Sequence, residues 1–276
     1  MQAQQTSVIK WWKASRATDT PEFGAPVDLT IDDKPVQAPS GASVLNAASV
    51  AGIYIPALCA HPDLPPAQQR GCADKSDSGC NLCLIEIHGV PGMSKACSVP
   101  VTAGMVVHTN TNPTQKARQD HLAKVLGPHP HVCLVCPQRE GCSRTQCSYG
   151  NPPDTRCCSI FSSCELRKVA DFIGIPNSTP PYKPAQLPII KDEPFFDRDY
   201  NLCIDCRRCL VACNDIRGVG CLEVKEVQTP QGVRRYVGTI AATLIESGCT
   251  FCQACVTVWP TGALTDRTLD PARREE

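Results

Sequence analysis

The residues of this chain that can do chemistry are its cysteines and one histidine, and their spacing limits what they can hold. His129, Cys133, Cys136 and Cys142 follow the pattern H-x3-C-x2-C-x5-C. An x2 spacing lets two thiolates turn onto one centre, and a later cysteine returns from a loop. One imidazole and three thiolates suit zinc, or an iron–sulfur cluster with a nitrogen ligand on one iron. Further groups flank this one. Cys59, Cys80, Cys83 and Cys97 precede it, and Cys203-x2-Cys206-x2-Cys209-x3-Cys213 and Cys249-x2-Cys252-x2-Cys255 follow it. Repetition of such groups along one chain favours iron–sulfur clusters over an isolated zinc.

The composition sets the context. The chain has 276 residues, zero formal net charge and 20 cysteines. A neutral chain gives no electrostatic case for binding nucleic acid or a membrane surface. The N-terminus lacks the basic and apolar regions of a signal peptide, and no stretch has the length and apolarity of a membrane span. The expectation is therefore a cytoplasmic protein whose cysteines bind metal instead of pairing as disulfides. So many cysteines leave few positions for an ordinary apolar core, so cofactors are expected to substitute for part of it.

The elements that position these residues can be read in outline. Residues 1–25, with Trp11 and Trp12, form an N-terminal extension that is either a mobile tail or docks on a partner. Val27, Leu29 and Ile31 alternate as a half-buried strand, Asp32-Asp33-Lys34 is a turn, and Pro35–Gln37 begins the return strand. Ser43–Ala51 reads as a short helix with Val44, Leu45, Ala48 and Val50 available to the core and Gly52 as its stop. Leu84–Ile87 and Met105–His108 are strands. Residues 113–126 form a helix with Pro113 at its first position, Leu122, Val125 and Leu126 on its apolar side, and Gly127-Pro128 as its stop. Ser163–Ile173 is a helix that buries Leu166, Val169, Ala170 and Ile173. Six prolines between 176 and 194 make an extended connector lying against the protein surface. Arg207-Arg208 and Arg234-Arg235 read as solvated charges or a docking patch for an acidic partner.

The run from Gly52 through Cys59 to Leu64, with Gly79-Cys80-Asn-Leu-Cys83-Leu-Ile-Glu-Ile87 and Cys97, resembles the 2Fe-2S ferredoxin domain at the N-terminus of the large iron–sulfur subunit of respiratory complex I. The same domain occurs in NAD-linked hydrogenases and formate dehydrogenases. The resemblance spans about residues 26–265 and is also to the small diaphorase subunit of bidirectional NAD-linked hydrogenases. It implies an α+β chain in three modules. Residues 26–110 would be a β-grasp domain with a 2Fe-2S cluster on Cys59, Cys80, Cys83 and Cys97. An insertion in that set contains Cys72, a spare thiol or an alternative second ligand. Residues 111–175 would carry a one-histidine, three-cysteine 4Fe-4S site on His129, Cys133, Cys136 and Cys142. His131, close by, lacks the x3 spacing and reads as a hydrogen-bonded loop residue. Residues 195–276 would be a two-cluster bacterial-type 4Fe-4S ferredoxin. In that arrangement the fourth cysteine of each run ligates the other cluster, so Cys213 completes the set of Cys249, Cys252 and Cys255.

Two features depart from the pattern. The ligand expected before Pro260 is Trp259, which cannot bind iron, so Cys203, Cys206 and Cys209 lack a fourth thiolate. That cluster becomes 3Fe-4S, takes Cys221, takes water or a carboxylate, or is damaged. Cys147, Cys157, Cys158 and Cys164 are additional, and stand for a further cluster, a structural zinc, or thiols packed as small hydrophobes. No dinucleotide fingerprint, P-loop or nucleophile–base pair is present. The chain is thus read as non-catalytic by itself. It would wire single electrons between a flavoprotein that handles NAD(P)H and a catalytic subunit for hydrogen, formate or another substrate. A zinc-stabilised scaffold and an iron–sulfur redox sensor are the alternatives.

Overall fold

A hairpin comes first, because two aspartates in succession, Asp32 (φ 47°) and Asp33 (φ 62°), adopt the left-handed backbone that a tight turn needs. The computed structural model describes residues 24–65, 79–144, 146–191, 194–229 and 232–267; the N-terminal extension with Trp11 and Trp12, and Cys72, lie outside them. The chain divides into two compact units, residues 1–121 and 122–276.

In the first unit, β1 (Pro26–Ile31) and β2 (Lys34–Pro39) form the hairpin. With β3 (Leu84–Ile87), β4 (Met93–Lys95) and β5 (Val106–His108) they make a sheet ordered β2-β1-β5-β3-β4, in which only β1 and β5 run parallel. Helix α1 (Val44–Val50) starts where the Ser43 hydroxyl accepts the Asn46 N–H at 3.2 Å. It buries Val44, Ala47 and Ala48 against Leu29, Ile31, Ile85 and Val107. Val50 was expected in this core but is 87% exposed, because the helical period of the buried face is already filled by 44, 47 and 48. Arg118, on α2 (Asn112–Leu126), is fully buried and donates to the Leu84 and Thr109 carbonyls, each at 2.6 Å. Thr109 in turn donates its N–H to Asp32 at 2.7 Å, so the β1–β2 turn, β5 and the base of β3 are tied together.

In the second unit, α3 (Glu165–Ile173) buries Leu166, Val169, Ala170 and Ile173 and ends at Gly174 (φ 79°). The proline-rich connector opens with a turn, the Thr179 N–H donating to the Pro176 carbonyl at 2.9 Å, and its Leu187 is buried and exchanges two hydrogen bonds of 2.9 Å with the Asn201 side chain. Then β6 (Ile189–Ile190), β7 (Phe196–Asp199) and β10 (Leu264–Asp266) form a sheet ordered β10-β7-β6, and β8 (Leu222–Thr229) pairs with β9 (Gly232–Thr239) as a hairpin. Short α4 (Arg208–Leu210) passes directly into a π-helical turn over Val211–Ile216, and α5 (Ala254–Thr257) is its counterpart in the second cysteine run.

Candidate metal centres

Four thiols of the first unit share one place. Cys83 leads into β3 and Cys97 follows β4, so β-pairing brings these two together; the Ala96 N–H donates to the Cys83 carbonyl at 2.9 Å. The Sγ atoms of Cys80 and Cys59 lie 3.6 Å apart, and the Leu58 N–H points at the Cys80 sulfur from 3.3 Å. The Cys97 thiol hydrogen-bonds with both Cys59 and Cys83, which pushes its own pKa upward. The same contact from Cys97 draws Cys83 downward against the opposing effect of burial. Gly79 (φ +89°) permits the approach: a Cβ there would stand 3.3 Å from the Cys59 sulfur.

At the end of α2 the chain turns at Gly127-Pro128 and buries His129. Neither ring nitrogen of His129 has a hydrogen-bond partner of normal geometry. Burial pulls its pKa down to about 3, against a weaker upward effect from the Pro130 backbone, so the imidazole is neutral with a free lone pair. His131 does what a structural histidine does: its Nδ1 lies 2.8 Å from the His129 carbonyl and 3.0 Å from that of Leu126. Cys133, Cys136 and Cys142 line one cavity, together with Cys147 and the side chains of Arg139, Arg144 and Arg156. The Arg144 N–H donates to the Cys142 sulfur at 3.3 Å. The Cys157 thiol draws the Cys133 pKa down to about 6.

Of the four additional cysteines, Cys157, Cys158 and Cys164 lie near enough to raise one another's pKa, yet each faces different neighbours. Cys147 lines the cavity just described. Cys157 meets Cys133 and faces the Pro130 carbonyl at 3.7 Å. Cys158, the next residue, packs with Leu202, Cys203 and Ala263. Cys164 faces the Pro260 carbonyl at 3.8 Å.

In the C-terminal runs, Cys203 and Cys209 are buried, and burial raises both thiols. A separate cavity is lined by Cys213, Cys221, Cys249, Cys252, Cys255 and Trp259. Cys221, one of the donors open for the site at Trp259, lies against the other group. It joins the second group, its Sγ 3.3 Å from that of Cys213, and also contacts Cys249. The cause is local: the Val219 N–H donates to the Cys213 carbonyl at 3.0 Å and folds residues 219–221 back onto the π-helical turn. The contact draws Cys213 down to about 6.

Two arginines expected in solvent are also structural. Arg208 is fully buried and forks onto Glu165 at 2.6 and 2.7 Å, and buried Arg234 donates to the Cys203 carbonyl at 2.5 Å. The only sequence signal for Arg208 was its place inside a ligand run, next to apolar Leu210 and Val211.

This donor chemistry fits iron–sulfur clusters. All nineteen described cysteines are free thiols. They stand in groups, and backbone N–H donors point at several of the sulfurs; the buried His129 imidazole has no hydrogen-bond partner of normal geometry and does not line the cavity of Cys133, Cys136 and Cys142. Among the described residues, no three His, Cys, Asp or Glu side chains are arranged to hold a single metal ion, and no helix is long and apolar enough to cross a membrane.

Comparison with known proteins agrees. Residues 24–112 match the 2Fe-2S iron–sulfur cluster binding domain, and residues 202–263 the 4Fe-4S dicluster domain. The chain is 31% identical over 245 residues to the NADP-reducing hydrogenase subunit HndD of Solidesulfovibrio fructosivorans, covering 86% of this chain and 36% of that protein. It is 30% identical over 255 residues to the mitochondrial NADH-ubiquinone oxidoreductase 78 kDa subunit of Neurospora crassa, covering 92% of this chain and 29% of that one. The chain thus spans about a third of the length of these relatives. A crystal structure of an NAD+-reducing nickel–iron hydrogenase shares the fold, with a TM-score of 0.64 and 22% identity over 90% of each chain. The class is that of iron–sulfur proteins with a 2Fe-2S cluster binding domain and a 4Fe-4S dicluster domain. Within it, this chain resembles the N-terminal iron–sulfur region of subunits from NADH-dehydrogenase-type complexes.

Proposed function

We propose that the chain is the wiring subunit of a multi-subunit oxidoreductase, relaying single electrons between a flavoprotein that handles NAD(P)H and a catalytic subunit of hydrogenase or formate dehydrogenase type in the cytoplasm. The observation that carries this reading is the succession of separate thiol groups along one chain. Cys59, Cys80, Cys83 and Cys97, on a β-grasp domain, hold a 2Fe-2S cluster. Cys133, Cys136 and Cys142 hold a 4Fe-4S cluster with His129 as its nitrogen ligand, a role supported by the buried, unpaired imidazole. Cys213, Cys249, Cys252 and Cys255 hold a second cubane, and Cys203, Cys206 and Cys209 the core of a third. When bound, such clusters accept and release one electron at a time. The protein supplies ligands, N–H···S hydrogen bonds and shielding from water, which tune the potentials.

Iron, sulfide and zinc analysis of anaerobically purified protein, paired with EPR of its oxidised and reduced forms, tests the reading. About thirteen to fourteen irons per chain are expected, from one 2Fe-2S cluster and three cubane-type clusters, one of them complete or one iron short. Cys136→Ser should remove one 4Fe-4S signal. Abundant zinc with little iron would replace this reading by that of a zinc-stabilised scaffold.

A further inference from the structure

Two irregularities of the chain meet in space. One is the tryptophan where a ligand to the group of Cys203, Cys206 and Cys209 belongs. The other is the cysteine-rich insert between the middle site and α3. The insert is fastened to both edges of that incomplete group. Glu165, the first residue of α3, forks onto Arg208, which stands between Cys206 and Cys209. The Leu166 N–H donates to the Pro260 carbonyl at 3.3 Å, and the Cys164 thiol faces the same oxygen at 3.8 Å. Pro260 follows Trp259 directly.

Between these anchors sits Cys158. It packs with Leu202, Cys203 and Ala263, a cluster that Trp259 also joins. Its sulfur presses so closely on Gly262 that a Cβ on that residue would lie 2.4 Å away. The glycine therefore admits this thiol. The Thr261 hydroxyl holds the Leu202 carbonyl at 2.8 Å, which keeps the Gly262 segment beside Cys203. The rival donor, Cys221, is committed elsewhere, 3.3 Å from Cys213. Cys164 already faces a carbonyl, and Cys157 points to the middle site.

We propose that Cys158 supplies the fourth thiolate to the cluster of Cys203, Cys206 and Cys209, replacing the ligand lost at Trp259. The insert is then a ligand donor from outside the ferredoxin runs, and the first ferredoxin site is a complete 4Fe-4S cluster. Ligation forms an iron–sulfur bond and breaks the S–H bond; the proton leaves to solvent and no electron is exchanged. The proposal rests on the wiring reading above.

The test is Cys158→Ser in the full chain, purified anaerobically, with iron analysis and EPR of the oxidised protein. The parent protein is expected to hold about fourteen irons and to show no 3Fe-4S signal. Cys158→Ser is expected to lose one iron per chain and gain that signal, whereas Cys164→Ser changes neither. Adding Trp259→Cys to Cys158→Ser restores the family ligand and should return the iron and abolish the signal. If Cys158→Ser loses its clusters altogether, their recovery in the double variant supports the proposal and a failure to recover overturns it. A 3Fe-4S signal already present in the parent protein overturns it, as does full iron in Cys158→Ser or loss of the iron in Cys164→Ser instead. Zinc in place of iron would overturn the wiring reading itself, a result distinct from any of these.

Discussion

The two thiol groups of the C-terminal module come from similar cysteine runs but are supplied unequally. The group around Cys249, Cys252 and Cys255 draws in Cys213 and Cys221, so five thiols face one cavity. The group of Cys203, Cys206 and Cys209 has three, with Trp259 packed beside Cys203. Spacing alone would assign four ligands to the second site and leave the first incomplete. The fold raises the second count by placing Cys221 at that cavity, and the proposal above has Cys158 complete the first. A surplus thiol makes one site tolerant of losing a ligand, while the other depends on every ligand it has.

The largest expected effect follows from that asymmetry. Cys206→Ala should cost the first site at least about one iron per chain, and all of about four where the remaining thiolates do not keep a 3Fe-4S core. Cys213→Ala should retain its iron, because the Cys221 sulfur is only 3.3 Å from the vacated position. Iron analysis with reduced-state EPR distinguishes the two. Equal losses in both variants would mean that Cys221 is not a reserve ligand and that the two sites are equally fragile.

A smaller effect is expected at the clamp that fastens the insert to the first site. Glu165→Ala leaves the guanidinium of Arg208, wholly buried, without its carboxylate, whose side chain is 38% exposed. Breaking a buried pair from one side costs about 3 kcal/mol, and for a domain of this size that is roughly 6–12 °C in Tm. The first-site EPR signal should weaken while that of the second persists. Unchanged thermal unfolding would show that the clamp does not hold the insert in place.

These contacts also mark the limit of what the sequence could disclose. The cysteine runs were legible because x2 spacings are local: a short turn or helix brings such residues together whatever surrounds it. The hairpin at Asp32-Asp33, the short helix α1 and the buried face of α3 were legible for the same reason. What escaped depends on sequence separation. The parallel pairing of β1 with β5 has no spacing signature. Arg208 looked like a surface charge because its carboxylate is 43 residues away. Cys221 was one of several options for the ligand missing at Trp259, and no spacing pattern favoured it. The Val219–Cys213 backbone bond, which sends it to the other group, has no trace in residue type. Four additional cysteines within eighteen residues left a cluster, a zinc and packed thiols open, and which groups adjacent Cys157 and Cys158 face could not be read from their spacing.

The smallest effect tests whether the surplus thiol acts even when it is not a ligand. With Cys213 bound to iron, the Cys221 S–H is placed to donate to the Cys213 sulfur, since the two atoms are 3.3 Å apart and Cys221 is buried. A donor to a ligand sulfur withdraws electron density and stabilises the reduced, more negative cluster, so it raises the potential. Cys221→Ala should therefore keep every iron and lower the potential of the second site alone. Loss of one modest hydrogen bond is worth about 1 kcal/mol, or roughly 40 mV for a one-electron couple, given 59 mV per tenfold change. An EPR-monitored redox titration resolves a shift of that size. No shift would reduce Cys221 to a packing residue, whereas loss of iron would make it a ligand outright and return Cys213 to the unassigned thiols.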